Sequence, residues 1–278
     1  MDIFSAVSET AFITLKARLV ESEQEKPVIK DAVALECFNR LQSLLPIDVR
    51  KRLLDRELPL SLTRYIALRA RRYDMYTKRF LEEYADGLVV SLGCGFDTRY
   101  WRISKDPWNY IEIDLPNVIE AKKKVLGDTV TYAMIGCSVL QEDWIEKVLS
   151  MQKEHVLFLA EGLFMYLPKD GVISLFKRLA ELFTKSEIVF EVVTEKYTKG
   201  LRKKIVMSKM SKLGTQAGSS YSFGIRDAKD IEAYGNNIKV VEEWSFFEDA
   251  DIKPTILKLF RNVRLFTRAQ WTIRATIN

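Results

Sequence analysis

A chain of 278 residues with 47% hydrophobic and 29% charged residues has enough apolar content for one sizeable core and little room for long disordered tracts. Its 43 basic and 38 acidic residues give a formal charge of +5 spread along the whole length, too mild for a nucleic-acid footprint, so a small molecule is the expected partner. No apolar run approaches the roughly 18 residues of a membrane span, and the start Met1-Asp2-Ile3-Phe4-Ser5 lacks a basic region followed by a long apolar stretch, so no membrane partner and a cytoplasmic location are expected.

Residues 1–86 read as a helical extension, with apolar positions at helical spacing around Ala11–Val20, Val28–Leu45 and Leu62–Tyr84 and breaks near Pro27, Pro46 and Pro59. From Leu88 the pattern changes to short apolar runs, Leu88–Leu92, Tyr110–Ile113, Val130–Ile135, Val156–Ala160 and Ile188–Val193, separated by helical segments, which predicts a doubly wound α/β fold around a parallel sheet. Residues 195–235, polar and too long for an ordinary connection, read as an inserted lid. Within it Lys199–Leu213 carries six basic residues, with Val206, Met210 and Leu213 on one helical face that would help cover an acceptor; a solvated helix with an ordinary packed face explains the charges equally well. Strand-like Ile238–Phe247 and Trp271–Ile277, with helical Pro254–Phe260 between them, complete a seven-stranded, mostly parallel sheet with an antiparallel final strand. The whole of 1–278 is expected to form one domain.

Cys37, Cys94 and Cys137 are widely spaced and contain no CxxC, which argues against a disulfide framework or a zinc site. The single histidine, His155, directly precedes a strand with no partner motif nearby and reads as a loop residue, so hydrolase triads and histidine-ligated metals are disfavoured.

Gly93 and Gly95 follow the first strand directly, at the end where open α/β sheets bind ligands. A dinucleotide fingerprint wants a third glycine and an open helix N-terminus; here Asp97 occupies the turn, and a carboxylate repels a diphosphate. S-adenosyl-L-methionine carries no phosphate and tolerates the acidic turn. Asp114, at the end of the second strand, stands where a carboxylate accepts both ribose hydroxyls, although it would also serve to open the turn before Pro116. In the helix from Leu62, the positions Leu62, Ile66, Arg69, Tyr73, Tyr76 and Phe80 form one apolar face, whereas Arg71, Arg72, Lys78 and Arg79 fall off it onto the expected surface. Arg69 therefore needs an inward anion, either a ligand carboxylate or a core Asp or Glu.

Four motifs in order, Arg69 with Tyr73-Asp74, Leu92-Gly-Cys-Gly-Phe-Asp-Thr-Arg99 with Arg102, Glu112-Ile-Asp-Leu-Pro116 with Lys122, and Ala160-Glu-Gly-Leu-Phe-Met-Tyr-Leu167, resemble the leucine carboxyl methyltransferase family, which includes tetracenomycin-type polyketide O-methyltransferases. The resemblance covers about residues 8–190. It implies a class I methyltransferase fold, with Arg69 on the donor's carboxylate, Gly93 and Gly95 along its amino-acid part, Asp114 on its ribose and Glu161 facing its ammonium. Tyr166 would lie near the transferred methyl, and Lys16, aligned with a one-residue gap, matches a basic residue that contacts the donor. Where the family often has Asp-Leu beside the adenine, this chain has Ser138-Val139 after Cys137, so a shorter side chain would serve the base.

The expected reaction is methyl transfer to a carboxylate or hydroxyl oxygen of a small-molecule acceptor, with S-adenosyl-L-homocysteine as co-product. A carboxylate is ionised at neutral pH and needs no general base. Arg99 or Arg102 would steer an anionic acceptor, or either would lie on the helix surface, the reading preferred for Arg102. The alternatives are a protein C-terminal leucine carboxyl methyltransferase, an NAD-dependent oxidoreductase disfavoured by Asp97, and a non-catalytic donor-binding protein. An RNA methyltransferase lacks the concentrated basic and aromatic surface such binding needs. Oligomeric state is not legible.

Overall fold

The computed structural model describes residues 9–45, 47, 50–51, 55, 57–103, 108–201, 203–204, 208 and 221–278. Three long helices open it: α1 (Glu9–Ser22), α2 (Ala32–Leu44), capped by the Asp31 side chain on the Ala34 amide, and α3 (Leu60–Glu83). Strands and helices then alternate as β1 (Leu88–Leu92), the single turn α4 (Arg99–Arg102), β2 (Asn109–Asp114), α5 (Pro116–Leu126), β3 (Ala133–Gly136), α6 (Asp143–Ser150), β4 (Val156–Ala160), α7 (Lys169–Leu182) and β5 (Ser186–Val193). The last part contains β6 (Ile238–Trp244), a short 3-10 segment Thr255–Phe260, α8 (Arg264–Thr267) and β7 (Gln270–Ile277).

The sheet has seven strands in the order β3-β2-β1-β4-β5-β7-β6, and β7 runs antiparallel to both its neighbours, as the sequence predicts. β1 and β4 keep their predicted bounds, because each is a fully buried apolar run. β3 starts three residues later than Val130, since the 3-10 turn Gly127–Thr129 delays entry into the ladder.

Alternation along the strands divides two cores. Leu88, Val90 and Leu92 join Phe158, Phe190 and Ile273 beneath α6 and α7, while Val89, Leu157, Leu159 and Val189 meet Tyr73, Tyr76 and Phe80 of α3 on the opposite face. A third cluster joins Phe12, Leu15 and Leu19 of α1 and Leu41 of α2 to Val118 and Val125 of α5, and it includes Phe96 of the glycine turn. Each such side chain contributes about 1.5–3 kcal/mol on burial, so the helical extension is bound to the ligand-facing end of the sheet by its own core.

The face predicted on α3 is buried at Ile66, Arg69, Tyr73, Tyr76 and Phe80. Arg71 and Arg72, expected on the surface, are half-buried instead. Arg71 pairs with Asp249 and Asp251, and Arg72 with Glu242 of β6, which ties α3 to the C-terminal part of the chain. His155 stacks on Tyr84 with ring centroids 3.8 Å apart, a packing position just before β4. In the predicted lid the described ends are held to the sheet: Thr194 bridges to Ile225, and Ala228–Tyr234 is 3-10 helix. Val206, Met210 and Leu213 lie outside the described residues. Among the described residues no helix is long and apolar enough to cross a membrane.

Candidate functional site

The ends of β1, β2 and β4 open into a cavity of about 1180 Å³. Pockets for one drug-sized ligand hold about 300–1,000 Å³, so there is room for two reactants together. Its floor is the turn after β1. Gly93 has φ +64° and Gly95 φ +50°, in the left-handed region that favours glycine, and a Cβ on Gly93 would stand 2.7 Å from Leu163.

Asp114 steadies this turn. One carboxylate oxygen accepts from the Gly95 amide at 2.7 Å and the other from the Leu115 amide at 2.7 Å, leaving lone pairs on both for a ligand's hydroxyls. Burial pushes the Asp114 carboxyl above its ordinary pKa, against the pull of the two amides. Beneath the turn Lys122, fully buried, donates to the Asp97 carbonyl at 2.6 Å and pairs with Glu112 at 2.7 Å.

A continuous buried ion network forms the wall beyond. Arg18 of α1 pairs with Asp31 at 3.0 Å, Asp31 with Arg102 at 2.8 Å, and Arg102 with Asp74 and Asp97 at 2.8 and 3.0 Å. Arg99 joins Asp74, Asp97 and Glu161 at 2.8, 2.5 and 2.7 Å. Arg69 joins Glu161 at 2.9 Å and Glu191 at 2.8 Å.

Burial raises the carboxyl pKa of Asp97 and Glu161, but the adjacent guanidiniums outweigh it: Arg99 and Arg102 hold Asp97 far below the carboxylate range, and Arg69 and Arg99 hold Glu161 low. Glu191 goes the other way, because its burial exceeds the pull of Arg69. Arg69 thus bridges one carboxylate held ionised and one made more basic.

Most of the sequence-predicted residues come together here. Arg69, Gly93, Gly95, Asp97, Arg99, Asp114, Ser138, Val139, Glu161 and Tyr166 all line the cavity. The Ser138 hydroxyl accepts from the Leu140 amide at 3.3 Å, so it also shapes its own turn. Burial lifts the Tyr166 phenol to about 12.

Lys16 is the exception. It is buried outside the cavity wall, where burial lowers its pKa against the charges of Asp55 and Glu57. Ala11, Ile13, Thr14 and Arg18 of α1 line the cavity, and Lys16 does not.

Three electrostatic expectations change. Arg102 is a buried residue, its side chain only 4% exposed and saturated by three carboxylates. All three guanidinium nitrogens of Arg99 donate to carboxylates, so its charge is spent within the wall and not displayed to an acceptor. Asp97 is likewise neutralised by Arg99 and Arg102, so its charge alone does not turn away a diphosphate. The occupancy of the turn by its side chain remains as the obstacle.

The far end of the cavity is aromatic and apolar. Tyr65, Tyr166, Tyr197 and Tyr221 meet Phe246, Phe247, Leu257 and Phe266 from the segment between β6 and β7. Sequence reading assigned cover of this end to Lys199–Leu213 and missed the second segment. Its signal was the aromatic pair Phe246-Phe247, absorbed into a strand that ends at Trp244.

Comparison with known proteins agrees with this architecture. Over its whole length the chain superposes on a DUF574 family protein from Streptomyces avermitilis with TM-score 0.58 at 11% identity, covering 99% of this chain and 100% of that one, which is a likeness of fold. The tetracenomycin polyketide synthesis O-methyltransferase TcmP of Streptomyces glaucescens is 29% identical over 90% of this chain and 88% of its own. The S-adenosyl-L-methionine-dependent methyltransferase dpfgK of Gibberella zeae is 27% identical over 68% of this chain and 65% of its own. Leucine carboxyl methyltransferase 1 of Caenorhabditis elegans is 27% identical over 42% of this chain and 45% of its own. The leucine carboxyl methyltransferase family profile matches residues 11–180, which span the glycine turn, Asp114 and the Glu161 turn, and the chain belongs to that family of S-adenosyl-L-methionine-dependent methyltransferases.

Proposed function

We propose that this protein transfers a methyl group from S-adenosyl-L-methionine to an oxygen of a small, largely apolar acceptor, polyketide-like in its aromatic surface. One observation carries the reading: Asp114 at the tip of β2 and the Arg69–Glu161 pair at the tip of β4 flank the Gly93–Gly95 turn within one cavity. This arrangement suits a molecule with a ribose diol at one end and an amino acid at the other. Asp114 would accept from the diol. The ionised Glu161 would face the ammonium, and Arg69 would take the carboxylate, exchanging part of its grip on Glu161 and Glu191. Ser138 and Val139 would border the base, and Gly93 and Gly95 let the backbone approach closely. Lys16, which does not line the cavity, has no part in this proposal.

The donor supplies an electrophilic methyl on a sulfonium. The protein's task is then alignment and exclusion of water. The aromatic end supports an acceptor with flat apolar surface, which Tyr166 and Tyr221, ring centroids 5.6 Å apart, would border. The extent of similarity to TcmP, nearly the whole chain, supports a small-molecule acceptor over a protein C-terminus, for which the match covers less than half. Residues 1–278 would act as one domain, with 1–86 covering the donor side and 195–235 forming, with the segment after β6, the cover of the acceptor side.

Incubation with isotopically labelled donor and a panel of aromatic acids and phenols, read by mass spectrometry, tests the reading. A labelled methyl ester or ether is expected. Tight NADH binding with no calorimetric response to S-adenosyl-L-homocysteine overturns it.

A further inference from the structure

Two stretches of the chain are basic throughout: Lys199–Leu213 carries six lysines and arginines, Ile252–Ala269 carries five, and neither holds an acidic residue. Both adjoin the acceptor end of the cavity. Tyr197 and Tyr221, on either side of the first, and Leu257, Leu265 and Phe266, within the second, line it. The second stretch also displays apolar surface. Ile256 is 63% exposed, Leu259 74% and Leu265 65%, and with Val263 and Phe266 they make five exposed large apolar side chains within eleven residues, a density matched nowhere else among the described residues. A ladder of rings carries this surface inward: Phe260 and Phe266 have centroids 4.4 Å apart, Phe266 and Phe247 6.0 Å, Phe247 and Phe246 4.2 Å, and Phe246 meets Tyr65 at 5.0 Å. The patch is thus the outer end of the acceptor site.

Its charges select among occupants. Arg264 pairs with Asp227, Arg268 with Glu243, and Lys258 acts on Asp251, whereas Lys253 and Arg261 are exposed and make no ion pair among the described residues. A second copy docked through the same surface would set these cations against each other. A nucleic acid has no use for exposed Ile256, Leu259 and Leu265. Aliphatic side chains interleaved with lysine and arginine suit the boundary of an anionic bilayer, where the apolar groups enter the acyl region and the cations meet the headgroups. The sequence-based expectation of no membrane partner rests on spanning runs, and a segment of this kind lies on a bilayer without crossing it.

We infer that Ile252–Ala269 seats the protein on an anionic lipid surface, and that the acceptor, a lipophilic carboxylic acid held in that surface, passes along the ring ladder into the cavity. The acceptor's part in this rests on the methyltransferase reading above; the seating does not. In the cavity a carboxylate oxygen forms the O–CH3 bond as the donor's S–CH3 bond breaks, the electron pair of the broken bond stays on sulfur, and no proton is released. The ester has lost the acid's charge and partitions back into the lipid by the same apolar path.

Flotation with phosphatidylglycerol vesicles and with phosphatidylcholine vesicles tests the seating in wild type and in two double variants, Ile256→Ser with Leu259→Ser and Lys253→Gln with Arg261→Gln, whose positions lie outside the cavity wall. Wild type should bind the anionic vesicles and leave the neutral ones. Each cation near an anionic surface contributes about fivefold, so the charge variant should bind about tenfold more weakly or worse, and loss of two inserted apolar side chains should cost the serine variant a similar factor. Raising the salt from about 0.1 to 1 M shortens the screening length from about 10 to 3 Å and should release wild type. With labelled donor, both variants should lose about tenfold on 4-dodecylbenzoic acid carried in phosphatidylglycerol vesicles and stay within about twofold on 1-naphthoic acid in solution. No binding to anionic vesicles, equal binding to both kinds, or variants that bind like wild type overturn the seating. A dimer in sedimentation equilibrium that the serine variant dissociates assigns the patch to a second copy and also overturns it. Equal losses on the two acids, or a wild type that binds S-adenosyl-L-homocysteine yet methylates naphthoate alone or neither acid, overturn the delivery of the acceptor. Failure to bind S-adenosyl-L-homocysteine overturns the donor-site reading instead.

Discussion

Replacing Arg102 with alanine removes one guanidinium from among Asp31, Asp74 and Asp97, whose side chains are 0%, 10% and 12% exposed. Breaking a buried pair from one side costs about 3–5 kcal/mol, because the remaining charges lose their partner in a medium that solvates them poorly. For a chain of this size that is a fall in Tm of roughly 6–20 °C. Arg264→Ala is the control. Its side chain is 73% exposed and that of its partner Asp227 45%, and water compensates for most of the loss, so less than about 1 kcal/mol is expected. The pH dependence follows from the sign of the shifts. Asp31 and Asp97 have folded pKa values below their ordinary ones, where the arginines outweigh burial, so their contribution is present above the unfolded pKa and lost as pH falls through the folded one. Arg102→Ala removes part of that contribution, and the gap between variant and wild type should therefore be widest near neutrality and shrink below about pH 4. Urea titrations at pH 7 and pH 3.5 measure both terms. A loss under 1 kcal/mol at pH 7, or a gap that widens in acid, refutes the claim that this network stabilises the fold.

Gly93→Ala combines a left-handed φ with a 2.7 Å approach to Leu163 and should weaken S-adenosyl-L-homocysteine binding at least tenfold by calorimetry; unchanged affinity would remove the turn from the donor site. Asp114→Asn loses one of the acceptors that hold the Gly95 and Leu115 amides, and an affinity loss of about 1.5–3 kcal/mol is expected in the same assay. Burial raises the thiol pKa of Cys94 and Cys137, both in the cavity wall, so an aromatic disulfide reagent at pH 8 should label them slowly, and more slowly still with S-adenosyl-L-homocysteine present. Equal rates with and without that compound would dissociate the cavity from donor binding.

The parts of the molecule legible in its sequence are those where one physical signal dominates. β1 and β4 are uninterrupted apolar runs, and Gly93 and Gly95 follow a strand directly; α3 repeats its apolar stripe for several turns with Arg69 inside it. Arg99 and Arg102 were not legible, because α4 is a single turn and has no periodicity to separate an inner from an outer face. Their burial depends on Asp31, Asp74 and Glu161, each distant in sequence. Glu191 is hidden similarly among the apolar residues of β5, where its carboxylate gives no sign of having Tyr65 and Arg69 as partners. Lys16 and Arg18, two basic residues two positions apart on α1, were not separable in the sequence, and it is Arg18 that lines the cavity.

Formal charge in the network gives the wall of the cavity a polarity of its own. Four arginines, Arg18, Arg69, Arg99 and Arg102, stand against five carboxylates, Asp31, Asp74, Asp97, Glu161 and Glu191, an excess of one negative charge before Asp114 is added. On the proposed reaction, the incoming donor carries a net positive charge and the spent one carries none. The methyl group therefore takes with it the attraction that held its carrier, and the same wall that gathers one molecule from solution loosens its hold on the next.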